Sequence, residues 1–202
     1  MNISVISGSN RENSGSRKVS NFIHHNLQST DCEAVLFDLA EMQLPLWSED
    51  MWDGSSTQHA HWKQHKNQLE ETDALVIVAA EWNGTIPTSL HNFMMHMGRE
   101  VAHKPVLLVS VVSNSTNGAY PIAELRAFGS KNNRMLCIPD HVIVRNIGEV
   151  LDDNRLDESR NQDYLTKMRI RESLAELVLY AKHMKALRAE LQFDYQEFKN
   201  GM

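Results

Sequence analysis

Residues 3–17 read Ile3-Ser-Val-Ile-Ser-Gly-Ser-Asn-Arg-Glu-Asn-Ser-Gly-Ser-Arg17, a short apolar run followed by a polar loop that contains glycine. The run predicts a first β-strand over residues 3–7. The apolar residues that follow the loop lie at helical spacing and predict a first helix: Val19, Phe22, Ile23 and Leu27. A strand that leads through such a loop into a helix is typical of α/β proteins, so this stretch indicates the fold class.

The rest of the chain alternates strand-length apolar runs with helical patterns. Further strands are predicted over residues 34–39, 74–80, 106–112 and 141–144, and helices over residues 90–97 and around Ile122, Leu125 and Phe128. The runs at 74–80 and 106–112 are apolar on both faces, which is typical of central parallel strands. This alternation predicts a five-stranded parallel sheet in the order 2-1-3-4-5, linked by right-handed crossovers.

We expect a single domain over residues 1–202. Residues 148–162 are polar and charged and predict a surface loop. An apolar stripe then runs from Leu174 to Leu191 and predicts a long helix, with residues 186–202 as a helical extension. Two interpretations of the stripe stay open, because it can belong to the core or to a contact between subunits.

Composition and charge exclude several classes of function. The net charge of -6 argues against nucleic acid as a partner, since binding a phosphate backbone needs a basic face. No apolar run approaches the length of a membrane span, and the N-terminus lacks the basic region of a signal peptide. Cys32 and Cys137 stand far apart and form no redox or metal motif, so we expect a cytoplasmic protein.

The loop after the first strand collects hydrogen-bond donors at the start of a helix. Ser9, Ser14 and Ser16 supply hydroxyls, and Arg11 and Arg17 supply guanidinium groups. Donors beside the positive end of a helix dipole indicate a site for a phosphate. The loop lacks the signatures of a nucleoside-triphosphate loop and of a dinucleotide fold. An ordinary polar turn that caps the helix, with Arg17 solvated, is the alternative.

Two further polar loops follow the third and fourth predicted strands. The first is Glu81-Trp-Asn-Gly-Thr-Ile-Pro87 and the second is Ser113-Asn-Ser-Thr-Asn-Gly-Ala-Tyr120. In the order 2-1-3-4-5 both meet the phosphate loop at one edge of the sheet. Trp82 offers a flat apolar face, so a phosphate site and contacts to a planar ring together predict a mononucleotide site that fits FMN. Trp82 as a packing residue, Glu81 as a helix cap and Tyr120 as a core residue stay open.

These motifs resemble the NADPH-dependent FMN reductase family. Gly8, Ser9, Arg11 and Ser14 match its Gly-Ser-x-Arg-x-x-Ser, and residues 80–92 match most of its Pro-Glu-Tyr-Asn-Gly-Ser-x-Pro-x-x-Leu-Lys-Asn. Residues 44–50 resemble its Leu-Pro-x-Tyr-x-x-Asp, so the likeness covers roughly residues 2–145. The chain departs from the family at a few positions, where it carries Ala80 for proline, Trp82 for tyrosine, His91 for lysine and His96-Met97 for Asp-Trp.

The resemblance implies a flavodoxin-like three-layer sandwich and an FMN-dependent NAD(P)H oxidoreductase. Electrons would pass by hydride transfer from NADPH or NADH through FMN to a small acceptor, which could be a quinone, an azo compound, a flavin or an oxyanion. No side chain is expected to be catalytic, because the cofactor carries the chemistry. The cofactor-binding residues would be Ser9, Arg11, Ser14 and Ser16 for the phosphate, Glu81, Trp82, Asn83 and Gly84 for the ring, and Ser113 and Gly118 on its far side.

The resemblance also implies a homodimer or homotetramer. Two other classes of function stay open, a one-electron carrier of the flavodoxin type and a module that has lost flavin and binds a protein partner. His59, His61 and His65 include a pair at i, i+4, but no nearby carboxylate or cysteine completes a metal set. We therefore expect no metal, and we expect these histidines to lie on solvated helix faces, together with His91 and His96.

Overall fold

The computed structural model of the chain describes residues 1–156, 159–192, 194 and 197. Within them, one parallel sheet has the order β2-β1-β3-β4-β5. Its strands are β1 Asn2–Ser7, β2 Glu33–Asp38, β3 Ala74–Ala80, β4 Pro105–Val111 and β5 Leu136–Val144. The helices are α1 Gly15–Gln28, α2 Leu39–Met42, α3 Thr57–Glu71, α4 Thr88–His96, α5 Ala119–Phe128 and α6 Gln162–Glu190, with 3-10 turns at Glu49–Trp52 and Arg99–Val101. The predicted flavodoxin-like fold and strand order are confirmed.

The sheet separates two apolar cores, and β3 contributes to both. Val76 and Val78 pack in the core covered by α1 and α6. Leu75 and Ile77 pack in the core covered by α3, α4 and α5. Because both faces of β3 are covered by helices, every side chain from 74 to 79 is buried, which explains the unbroken apolar run.

The last strand is longer than the sequence predicts. β5 begins at Leu136 and passes through Pro139, whereas the sequence predicts a strand over residues 141–144 that follows this proline. The pairing with β4 shifts register between Val106 and Leu108. β5 lies at the sheet edge, where a proline and an irregularity in the ladder are tolerated, so the strand continues past Pro139.

The C-terminal part differs from the prediction in two places. Val150 and Leu151 are 1% and 5% exposed, so the loop over residues 148–162 is anchored in the core near its start. Of the predicted helical extension over residues 186–202, the structure describes a helix as far as Glu190, where α6 ends, and Leu191 and Gln192 are not helical. Residues 193, 195–196 and 198–202 lie outside the described part of the chain.

The pattern of burial along α6 gives a physical reason why the helix ends at Glu190. Within the described residues, the last buried side chain of α6 belongs to Ala181. Beyond it, Lys185 and Arg188 form ion pairs with Asp73, and Leu187 is exposed. The second half of the apolar stripe therefore gains no core that would stabilise further helical turns. The assignment of the whole chain to one domain stays a prediction.

Candidate functional site

Three loops meet at the carboxyl edge of the sheet, where β1, β3 and β4 end. Glu81 Oε2 accepts a hydrogen bond of 2.7 Å from the peptide N–H of Gly118, which joins the second loop to the third. The guanidinium carbon of Arg11 lies 5.7 Å from the centre of the Trp82 ring, which joins the first loop to the second. The structure thus brings residues of all three predicted loops together.

Two serine hydroxyls of the first loop accept peptide N–H groups and so keep their own protons free to donate. Ser14 is the N-cap of α1, and its Oγ accepts from the N–H of Arg17 at 3.1 Å. Ser9 Oγ accepts from the N–H of Arg11 at 3.2 Å. A serine hydroxyl that already accepts a peptide N–H keeps its own proton for donation. The Ser14 hydroxyl lies at the positive end of the α1 dipole, which favours an anion.

Ser16 and Arg17 have different surroundings. Ser16 is fully buried, and its Oγ has no hydrogen-bond partner within the described residues. A buried hydroxyl in the first turn of a helix is costly when unpaired, so a phosphate oxygen there would satisfy it. The guanidinium of Arg17 instead pairs with Asp38, at 2.9 Å, and with Glu41. The Arg17 side chain is 32% exposed, and its guanidinium is engaged by two carboxylates rather than left to solvent alone.

The second loop is a tight turn around Asn83 and Gly84. The N–H of Trp82 donates to the oxygen of Thr85 at 2.9 Å, and the N–H of Thr85 donates back at 2.8 Å. Asn83 and Gly84 have φ of 50° and 75°, the left-handed conformation that a type I′ turn requires and that Asn-Gly adopts readily. The bridge does not use the N–H groups of Asn83 and Gly84. Trp82 is 49% exposed, so its ring is accessible.

Two carboxylates link the second loop to the third loop and to α5 by hydrogen bonds. Glu81 accepts from Gly118, the N-cap residue of α5. Glu124 on α5 accepts in return from the N–H of Ile86 at 2.8 Å. Glu81 therefore caps a helix, as one interpretation of the sequence holds, but the helix is α5 rather than α4. Its carboxylate positions the loops around the site.

The residues of the third loop differ in their exposure to solvent. Ser113 is exposed, and Gly118 is buried with φ of 116°. A Cβ added at Gly118 would lie 2.2 Å from Ile143 Cγ2, so the loop passes directly over β5. The interpretation of Tyr120 as a core residue is wrong, because its side chain is 67% exposed. A Cβ added at Gly84 would lie 3.8 Å from Tyr120 Cδ2, so the Tyr120 ring lies beside the turn of the second loop.

The histidines divide into different environments. His59 Nδ1 lies 3.1 Å from the oxygen of Met51. His96 is only 5% exposed and packs against Trp62, with ring centres 5.3 Å apart, so the prediction of a solvated face is wrong for His96. His96 is the last residue of α4, and its partner Trp62 belongs to α3, so the contact between the two helices buries it. Within the described part of the chain, no group of three or more His, Cys, Asp or Glu residues could hold a metal.

The structure defines a flavodoxin-like α/β protein in which three polar loops, one rich in hydrogen-bond donors and one with an exposed tryptophan, meet at one sheet edge. Residues 1–149 match the model of the NADPH-dependent FMN reductase family, and the chain belongs to this family. It is an NAD(P)H-dependent flavin oxidoreductase with FMN as its cofactor. Among the described residues, no helix is long and apolar enough to cross a bilayer.

Several solved structures share the fold. An oxidoreductase from Corynebacterium diphtheriae is 13% identical, with 90% of this chain and 97% of that chain covered and a TM-score of 0.67. FerB, a flavoenzyme NAD(P)H:(acceptor) oxidoreductase from Paracoccus denitrificans, is 16% identical, with 92% and 97% covered and a TM-score of 0.63. A putative quinone reductase from Klebsiella pneumoniae is 14% identical, with 88% and 85% covered and a TM-score of 0.60. No curated protein matches the sequence significantly.

Proposed function

We propose that the three loops hold FMN and that the enzyme passes electrons from NADPH or NADH to a small acceptor such as a quinone, an azo compound, a flavin or an oxyanion. The observation that carries this proposal is the contact of Arg11 with Trp82, 5.7 Å from guanidinium carbon to ring centre. This contact places a cationic group that can bind phosphate and an exposed flat ring close enough together for one mononucleotide to reach both. The names of FerB and of the Klebsiella protein agree with acceptors of this kind.

The chain's own residues would bind and orient the cofactor. Ser9, Arg11, Ser14 and Ser16 would pair with phosphate oxygens, because each carries a donor and lies at or beside the start of α1. The ring would lie against Trp82, with the N–H groups of Asn83 and Gly84 at its edge, Glu81 holding the loops, and Ser113 and Gly118 on the far side. FMN, when bound, accepts a hydride from NAD(P)H and delivers electrons to the acceptor. No side chain then needs to act as acid or nucleophile.

Two alternative functions, an electron carrier and an interaction module, make different predictions for flavin binding. A one-electron carrier would hold flavin without reacting with NADPH, and an interaction module would not hold flavin. We propose a homodimer or homotetramer, in line with the family resemblance. A cytoplasmic location agrees with the cysteines Cys32 and Cys137, both of which are free thiols in the structure.

The visible spectrum of the purified protein tests the proposed function. The protein is incubated with excess FMN, desalted, and mixed with NADPH without oxygen. We expect the flavin spectrum to be retained and then to bleach, because the bound cofactor is reduced. A retained spectrum that does not bleach would indicate the carrier, and no retained flavin together with no affinity in a titration would contradict the FMN site.

Replacement of Arg11 by alanine should weaken FMN binding. A charge-assisted hydrogen bond to phosphate contributes about 1.5–3 kcal/mol, so the Kd for FMN should rise roughly 10- to 150-fold. A titration of flavin fluorescence measures this change. Lys18→Ala is the matched control, since it removes a positive charge from the nearby helix α1, and the ammonium of Lys18 is bound to Ile147 O and Asp152. Equal affinities of both variants would contradict the role of Arg11.

A further inference from the structure

The face of α6 that points away from the sheet carries a regular row of side chains, which we call the α6 seam. Its positions recur at alternating steps of three and four residues, the heptad spacing by which one helix packs against another. The first (a) positions of these heptads are Leu165, Glu172, Leu179 and Ala186, and the fourth (d) positions are Met168, Ala175, Lys182 and Ala189.

The α6 seam is accessible along its whole length. Leu179 is 60% exposed and Leu165 is 47% exposed, although both are large apolar side chains. Met168 is half-buried, and the other members of the seam are exposed. The side chains that α6 buries against the sheet, such as Leu177 and Ala181, lie on the opposite face of the helix. The seam therefore does not take part in the core of its own chain.

An open groove lies beside the middle of the seam. Its volume is about 790 Å³, and it is bordered by α6, the end of α1 and the residues that precede β2. Its walls are mainly apolar and include Ala175, Val178 and Leu179 of α6, together with Met1 and Cys32. The small side chain of Ala175 leaves space at the groove for a larger apolar side chain of another molecule, as in the holes of packed helices.

The α6 seam is complementary to itself when two copies run antiparallel. With Ala175 of one copy opposite Leu179 of the other, Glu172 lies opposite Lys182. The remaining positions pair a large side chain with a small one, Met168 with Ala186 and Leu165 with Ala189. Because such a pair of copies is related by a twofold axis, each of these contacts occurs twice.

The two charges in the seam favour this direction over the parallel one. Neither Glu172 nor Lys182 forms an ion pair within the described part of the chain. In a parallel pair each would lie opposite the same residue of the other copy, so like charges would meet. In the antiparallel pair opposite charges meet, and charged residues at helix contacts select the partner and its orientation in this way.

We propose that two copies of this chain associate through the α6 seam, packed antiparallel, with Leu179 of each copy over Ala175 of the other at the groove. Burial of the exposed leucines supplies the apolar contact, and the pairs of Glu172 with Lys182 set the direction. The proposal rests on the homo-oligomer proposed above and assigns a surface to it. It does not involve the flavin loops, which lie at the carboxyl edge of the sheet.

Sedimentation equilibrium of the full chain tests the proposal. The natural protein should be a dimer, or a tetramer built from such dimers, at about 100 µM. Leu179→Glu should raise the Kd of association at least about 100-fold, because each contact contains Leu179 twice and the loss of each buried leucine weakens binding about tenfold or more. Leu187→Glu is the matched control, since Leu187 is 42% exposed on α6 but lies outside the seam. A monomeric natural protein, or equal association of both variants, would overturn the proposal.

Reversal of the two charges tests the direction of packing. Glu172→Lys and Lys182→Glu each place like charges opposite one another, and each should weaken association about tenfold. The double variant restores opposite charges and should associate within about threefold of the natural protein. Single variants without effect, or a double variant that does not recover, would overturn the antiparallel contact.

FMN binding by the same variants separates this proposal from the proposed function. Leu179, Glu172 and Lys182 are exposed on α6, so each variant should bind FMN as the natural protein does in the fluorescence titration. A protein that associates through α6 without holding FMN would support the seam and contradict only the flavin site. A protein that holds FMN and is monomeric, or that associates through another face, would overturn only the seam.

Discussion

Gly118→Val is expected to destabilise the protein by about 3–5 kcal/mol, because two penalties act at one position. A β-branched residue is strained at φ of 116°, and the added Cβ would lie 2.2 Å from Ile143 Cγ2. Ile143 belongs to β5, which is paired with β4 and cannot withdraw easily. Urea unfolding of the natural and variant proteins measures the change in the free energy of unfolding.

Gly54→Val is the matched control for this prediction. Gly54 has no heavy atom within 4 Å of an added Cβ, so we expect a small change in the free energy of unfolding. The comparison separates the effect of the Gly118 environment from a general effect of losing a glycine. If both variants lost the same stability, the close packing of the third loop against β5 would not be the cause.

Lys167→Met is expected to cost about 1.5–3 kcal/mol of stability, the scale of a hydrogen bond to a charged group, because the two carboxylates that lose the ammonium are partly exposed. The Lys167 side chain is 2% exposed, and its Nζ lies 2.6 Å from Asp163 Oδ2 and 3.0 Å from Asp153 Oδ1. It also donates to the backbone oxygen of Arg155 at 2.7 Å. Thermal and urea unfolding should both show the loss.

An exposed lysine in a similar pair provides the control for Lys167→Met. Lys66 pairs with Glu70 at 3.2 Å, but both side chains are about half exposed, so Lys66→Met should change stability by less than about 1 kcal/mol. A loss of the same size in both variants would mean that burial of the Lys167 ammonium is not what makes its pair strong.

The pH dependence of stability gives an independent measure of the same cluster. Hydrogen bonds from Lys167, and then from Arg155, lower the pKa of Asp153 from 3.8 to about 2. A carboxyl whose pKa is lower in the folded state stabilises the fold above pH 3.8, and this contribution is lost as the pH falls through 2. In Lys167→Met this contribution should be smaller and its loss should be complete at a higher pH, because the first cause of the lowered pKa is gone. Unfolding curves between pH 2 and 5 would reveal it.

Local patterns predicted the order of the strands and the identity of the loops. The apolar run at 74–80 predicted a strand buried on both faces, and every side chain from 74 to 79 is buried. This inference succeeds because its cause, burial on two faces, is recorded in consecutive residues. The start of β5 was predicted wrongly, because the sequence places the strand after Pro139. A proline is tolerated within a strand at a sheet edge, and the position of a strand in the sheet is not a local property.

The sequence by itself determined the parallel α/β fold, the donor-rich first loop and the family to which the chain belongs. Only the tertiary structure decided that Glu81 holds Gly118, which lies 37 positions away, and that Arg17 is bound by Asp38 and Glu41. It alone buried His96, the last residue of α4, against Trp62 of α3. Such contacts join residues that are distant along the chain, and their partners are chosen by how the helices and loops pack on the sheet rather than by any pattern near either residue.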